Sequence, residues 1–214
     1  ACISLHQKGL LYGRLNPKYI FIHSISLQMK LISSTMVTKW NENIENELSL
    51  SVAMDELPYI APEQTGRLPM GVDERTDLYS LGVLFYEMIT QKSPFKSNNS
   101  LDCIFDILTK KPDFTVFEKA NDLPILKLIV EKLLEKNPDN RYQSAVGLKE
   151  DLLRVQQQLA EGINEILFSL GQGDQMLYPK PSSKLYGRDD ERHVLSRAFE
   201  EAKQILVRYD NELK

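Results

Sequence analysis

Residues 57–90 read LPYIAPEQTGRLPMGVDERTDLYSLGVLFYEMIT, and the character of the chain changes in their middle. Ahead of Asp73, Pro58, Pro62 and Pro69 interrupt any helical period, because proline lacks an N–H and restricts the residue before it. Beyond Asp73, Leu78, Leu81, Leu84, Phe85, Met88 and Ile89 recur at helical steps and form a wide apolar face. Gly82 lies on the same stripe, so close approach of a neighbouring backbone is expected there. Ser93-Pro94 is the expected stop.

Further along, Leu101, Ile104, Phe105 and Leu108 predict a shorter helix ending at Lys110-Lys111-Pro112. Leu123–Leu134 predicts another, ended by Asn137-Pro138. A long last helix is expected from about Ser144 to Leu170, on the apolar series Ala145, Leu148, Leu152, Leu153, Val155, Leu159, Ile163, Ile166 and Leu167. Residues 171–184 are a polar Gly/Pro/Ser linker, and residues 190–208 resume a helical pattern. In the other direction, residues 41–56 carry five acids and no base, the composition of a solvated loop. Residues 19–24 and 29–33 are short apolar or β-branched runs that predict a small hairpin. Residues 1–11 read as the end of a helix, stopped by Lys8-Gly9.

The whole chain has 214 residues with 26 basic and 30 acidic side chains, a net charge of −4 that does not fit a general nucleic-acid or anionic-membrane binder. Its two cysteines, Cys2 and Cys103, make no disulfide framework and have no partner at metal-ligand spacing, so a reducing, cytoplasmic setting and no metal site are expected. No apolar run is long enough to span a membrane. The chain opens Ala1-Cys2-Ile3 without Met and closes inside a helical pattern, so it is expected to be a piece of something longer.

Leu57-Pro-Tyr-Ile-Ala-Pro-Glu63, Asp77-Leu-Tyr-Ser-Leu-Gly82 and Asn137-Pro-Asp-Asn-Arg141 form an ordered series that resembles the C-terminal lobe of a protein kinase. The resemblance implies that Ala61-Pro62-Glu63 closes the activation segment. It implies that Asp77 opens the central helix and holds backbone donors near the catalytic loop. Arg141 would pair with Glu63 in a buried bolt. The implied fold is mainly α with a small β-hairpin.

Upstream, Tyr12-Gly-Arg-Leu-Asn-Pro-Lys-Tyr19 resembles the catalytic loop of that lobe, whose pattern is H-R-D-L-x-x-x-N. The chemical positions depart from it. Tyr12 and Gly13 replace the His and Arg, and Arg14 stands at the catalytic Asp. Asn16 stands at the loop Lys, and Tyr19 at the metal-binding Asn. The D-F-G position falls on Ser33-Ser34-Thr35. Arginine stays charged and offers no acceptor. Mg²⁺ needs hard anionic oxygens, which Tyr19 and Ser33 do not supply at neutral pH. No Asp precedes Asp55, so a shift of register restores neither motif. The implied reading is a pseudokinase lobe, with Mg²⁺ not expected at the degenerate site. Arg14 is a candidate to pair with Glu42, Glu45 or Glu47 and hold the acidic loop. His6 reads as a buried helix histidine rather than a catalyst.

In the tail, Leu185-Tyr-Gly-Arg-Asp-Asp-Glu191 is similar to the entry of an AAA-type P-loop ATPase module, but no phosphate loop follows within the chain. The expected organisation is a kinase-like lobe over 1–156, helix and linker over 157–184, and the start of the ATPase module over 185–214. A lobe, linker and entry of this kind resemble large sensors that join a kinase-like domain, an ATPase, a GAF domain and a hybrid histidine kinase. The implied partners are the lobe's own missing N-lobe, neighbouring domains and signalling proteins. ATP belongs, if anywhere, to the parent protein. Two other readings stay open here: an active but atypical Ser/Thr kinase, and a helical interaction module.

Overall fold

A computed structural model describes residues 1–26, 28–32, 38–39, 52–119, 124–163, 167–176 and 197. The chain divides into two units, residues 1–177 and 178–214, and the description below concerns the first. That unit is mainly α. In chain order it holds α1 (Cys2–His6), β1 (Leu10–Leu11), β2 (Ile20–Ile22), β3 (Met29–Leu31), β4 (Thr38–Lys39), α2 (Glu74–Thr90), α3 (Ser100–Thr109), α4 (Pro124–Leu133) and α5 (Ala145–Ala160). Single 3-10 turns lie at Pro17–Tyr19, Leu57–Tyr59, Pro62–Thr65 and Pro138–Asn140.

Helix α2 is the axis of the unit. Asp73 caps it by accepting from the Arg75 N–H at 2.9 Å, which satisfies one of the helix's orphan donors. Buried residues occur all round this helix from Glu74 to Tyr86, as in a helix enclosed by its neighbours. Its last turn opens to solvent at Met88, which the apolar stripe of the sequence assigns to the interior but which is 69% exposed. One apolar cluster joins Tyr79, Val83 and Tyr86 to Ile107, Phe117 and Val130. A second joins Leu78 to Ile129, Leu133, Tyr142, Leu148 and Val155. The expected close approach at Gly82 is present, since a Cβ there would stand 2.7 Å from Leu133 Cβ on α4. The helix stops at Thr90, before Ser93-Pro94, with Gln91 in the left-handed conformation at φ 55°.

The expected hairpin forms, with β2 and β3 antiparallel and Phe21 opposite Lys30. A second pair was not legible: Leu10↔Lys39 and Leu11↔Thr38 join β1 to β4. Residues 10–11 therefore belong to a strand and not to the end of a helix, because Gly9, at φ +68°, turns the chain out of α1.

The last helix also differs from its expected length. It ends at Ala160, not Leu170. Gly162 is left-handed at φ +74°, Gly162 N–H donates to Leu159 O at 3.1 Å, and Ile163 N–H donates to Gln158 O at 2.8 Å. This is a Schellman stop, which satisfies the helix's last carbonyls. Of the expected series beyond the stop, Leu167 is exposed, and it is Phe168 and Leu170, outside that series, that pack on the second cluster. Among the described residues, no helix is long and apolar enough to cross a membrane.

Candidate functional site

Asp77 sits in the first turn of α2 and is fully buried. Its carboxylate gathers three groups from the N-terminal segment. Gly13 N–H donates to Oδ1 at 2.8 Å, Tyr12 N–H donates to Oδ2 at 2.9 Å, and His6 Nε2 lies 2.8 Å from Oδ2. A buried carboxylate is tolerable only with such partners. His6 is thus the buried helix histidine expected, and it also helps to hold Asp77. Gly13 adopts φ +75°, a backbone region open to glycine and costly for other residues. Its carbonyl is held as well, accepting from Gln64 Nε2 at 2.6 Å.

The other expected station is equally tight. Glu63 and Arg141, 78 residues apart, form a two-pronged pair: Nη1 to Oε1 at 2.7 Å and Nη2 to Oε2 at 2.8 Å, both side chains fully buried. Thr76 Oγ1 donates to Glu63 Oε1 at 2.8 Å. Arg141 spends its remaining N–H groups on the carbonyls of Glu135, Lys136 and Arg75, and its guanidinium lies 4.9 Å from the centre of the Tyr79 ring. All five donors of the fork are therefore used. Ala61 is buried and its N–H donates to Gln64 Oε1 at 2.9 Å. Pro62 begins the 3-10 turn that carries Glu63.

The loop that follows Gly13 carries Arg14, Asn16 and Tyr19. Arg14 is half-buried. Asn16, buried, turns back into its own loop. Its Nδ2 donates to Arg14 O at 3.1 Å and its Oδ1 accepts from Lys18 N–H at 3.0 Å, so it caps the turn Pro17–Tyr19. Tyr19 packs its ring 6.5 Å from that of Tyr12 and directs its hydroxyl to Glu56 Oε1 at 3.4 Å. Lys18 meets the end of the acidic loop, with Nζ 2.6 Å from Asp55 Oδ2 and 3.5 Å from Glu56 Oε1. Both Lys18 and Asp55 are largely exposed, so this contact contributes little to stability. Ser33 and the suggested acidic partners Glu42, Glu45 and Glu47 lie outside the described residues.

Three participants were not singled out in the sequence. Gln64 ties the turn at Glu63 to the loop at Gly13. Arg75 forks onto Asp73 and reaches Asp139 at 2.7 Å. Asp174 returns to the start of α5. Each is a polar residue whose partner is distant in sequence, and no local spacing announces it. Among the described residues, no group of three His, Cys, Asp or Glu side chains converges to hold a metal ion.

The family model described as a protein kinase domain matches residues 1–153. The chain is 50% identical over 102 residues to the hybrid signal transduction histidine kinase G of Dictyostelium discoideum, covering 48% of the chain and 3% of that protein. It is 30% identical over 225 residues to the peroxide stress-activated histidine kinase mak3 of Schizosaccharomyces pombe, covering 98% of the chain and 9% of that protein. It is also 29% identical over 170 residues to the serine/threonine-protein kinase PknB of Mycolicibacterium smegmatis, covering 78% of the chain and 27% of that protein. The chain thus spans a small part of the curated relatives it matches.

Proposed function

The chain belongs to the protein kinase domain family, and from that premise we propose that it is the C-lobe of a Ser/Thr-type kinase-like domain that no longer transfers phosphate. In this reading the lobe serves a multidomain, signal-transducing histidine kinase by binding its neighbours. The observation that carries the reading is a contrast within one loop. The main chain of residues 12–13 is held on Asp77, while the next residue is Arg14, which the resemblance puts at the position of the base.

Phosphoryl transfer is positioning plus electrostatics. The Asp of the active pattern accepts the substrate's hydroxyl proton. A guanidinium has no acceptor, so Arg14 cannot take that proton. When bound, Mg²⁺ supplies charge neutralisation between the phosphates and asks for hard anionic oxygens. The residues here do not fit it: Tyr19 brings a phenol already directed to Glu56 and packed beside Tyr12. No step is therefore derived through the ion.

Similarity to two histidine-kinase relatives supports the sensor setting. The resemblance of Leu185–Glu191 to an ATPase entry supports the order lobe (1–156), linker (157–184), ATPase module (185–214), and we place the protein in the cytoplasm on its cysteine usage. The hairpin supports the nature of the partners. Phe21, Ile22, Met29 and Ile32 are each more than half exposed on or beside β2 and β3, a concentration of apolar surface that suits a protein neighbour such as the lobe's own N-lobe.

Transfer of labelled phosphate from ATP, measured on the full-length parent protein with a generic Ser/Thr substrate, tests the reading. The expected outcome is no Ser/Thr incorporation above a nucleotide-free control. Incorporation that disappears on Arg14→Ala or Tyr19→Ala would overturn it in favour of an active, atypical kinase.

A further inference from the structure

The run Arg141–Ser144 is held from two sides. On one, the Arg141 side chain grips Glu63, and Gln143 accepts from Arg75 Nη1 at 3.0 Å through Oε1. On the other, Gln143 N–H donates to Asp174 Oδ2 at 2.6 Å and Ser144 Oγ donates to Asp174 Oδ1 at 2.7 Å. Asp174 thus sits on the N-terminus of α5, where negative charge is favoured, although it comes from beyond the C-terminus of the same helix.

Three further observations show that the place is built for this return. Gly147 leaves the space: a Cβ there would stand 2.3 Å from Asp174 Cγ and 2.7 Å from its Cβ, too close for either to remain. Gly171, left-handed at φ +71°, closes the turn by accepting from Asp174 N–H at 3.1 Å. The same Gly171 donates its N–H to Asp151 Oδ2 at 2.6 Å, an oxygen that also receives the Tyr142 hydroxyl at 2.8 Å. Phe168 completes the attachment, with the Arg154 guanidinium 5.6 Å from its ring centre.

We propose that residues 168–174 are a releasable latch, which fastens the chain leaving α5 to the same four-residue run that anchors Glu63. The outer part of the attachment is polar: Ser169, Gln172 and Gly173 are exposed and Asp174 is half-buried. Phe168 and Leu170 are only half-buried at the edge of the second cluster, so opening that starts at residues 171–174 breaks polar contacts first and leaves the fully buried core of the lobe in place. A partner that pulls on the chain beyond residue 176 would open it and be felt at Gln143, one residue from Arg141. The inference stands on these contacts alone and does not depend on whether the lobe transfers phosphate.

Hydrogen exchange on the full 214-residue chain tests it, comparing the wild type with Asp174→Asn and Gly147→Ala. The first removes the charge. The second adds a methyl that evicts Asp174 while improving helix propensity. In both, the amides of Gln143, Gly171 and Asp174 should exchange roughly tenfold faster or more, the loss expected for a hydrogen bond to a charged group. The amides of α2 should keep their wild-type protection. Wild-type exchange at those three amides in both variants overturns the latch. So does a loss of protection in α2 in step with theirs, which would make Asp174 a support of the whole fold.

Discussion

Removing the Glu63 carboxylate strands a charge in the protein interior. In Glu63→Ala, the buried Arg141 guanidinium would keep its three backbone carbonyls and the Tyr79 face but lose its only counter-ion in the pair. Carbonyl dipoles hydrogen-bond to such a charge without neutralising it. Thr76 Oγ1 also loses its acceptor. Breaking one side of a buried pair costs about 3–5 kcal/mol, a large share of the ~5–15 kcal/mol that holds a domain together. With a urea slope of about 2 kcal/mol per M, the unfolding midpoint should fall by roughly 2 M. Far-UV circular dichroism through a urea titration of the full chain measures this. Replacing both partners by apolar residues, Glu63→Leu with Arg141→Met, should recover much of the loss, since the desolvation cost goes with the charges. A drop of less than ~0.5 M in Glu63→Ala would refute the reasoning, because it would mean that water reaches the guanidinium.

Gly82→Ala should destabilise by about 1–2 kcal/mol in the same titration, since overpacking against Leu133 and Leu134 outweighs the ~1 kcal/mol of helix propensity that alanine adds; a stabilised variant would contradict the close packing of α2 on α4. Lys136 offers a pH test: burial, and then the nearby Arg141 charge, lower its pKa to about 8, while the unfolded chain keeps its proton up to the usual ~10.4. Between those values the unfolded state binds more protons, so the stability contributed by this group rises with pH across that window. The Cys2 and Cys103 thiols, pushed upward by burial, act in the opposite sense over part of the same window, so the test is the difference: Lys136→Met should lower the slope of the urea midpoint against pH between about pH 8 and 10 relative to the wild type, and an unchanged slope would remove Lys136 as a contributor. The buried hydroxyls of Tyr79 and Tyr142, pushed upward by burial, act in the opposite sense only above about pH 10.

The stations of the lobe were legible because each rests on a short, ordered spelling. Ala61-Pro62-Glu63, Asp77 and Arg141 could be paired before any geometry was known, and the close approach at Gly82 followed from its place on the apolar stripe. Helix ends were less legible. The apolar series from Ala145 to Leu167 ran past Gly162 because residues of a returning turn shared its period, and a capping glycine is a weaker signal than a continuing stripe. The strand at Leu10–Leu11 is two residues long and is fixed by a partner at Thr38–Lys39, so no local pattern betrays it. Gln64, Arg75 and Asp174 were missed for one reason: polar side chains that reach groups far along the chain, backbone or side chain, have no periodicity.

Gly13 is gripped at both of its main-chain groups, by Asp77 on the N–H and by Gln64 on the carbonyl, in a conformation suited to a residue without a side chain. Peptide groups therefore hold this point of the loop, on Asp77 and on Gln64, whatever side chain stands next to it. At Gly13 itself any side chain carries a penalty: an arginine held by the same two grips would add about 1–2 kcal/mol of left-handed strain, so the identity of this residue and the path of the loop are coupled through the backbone.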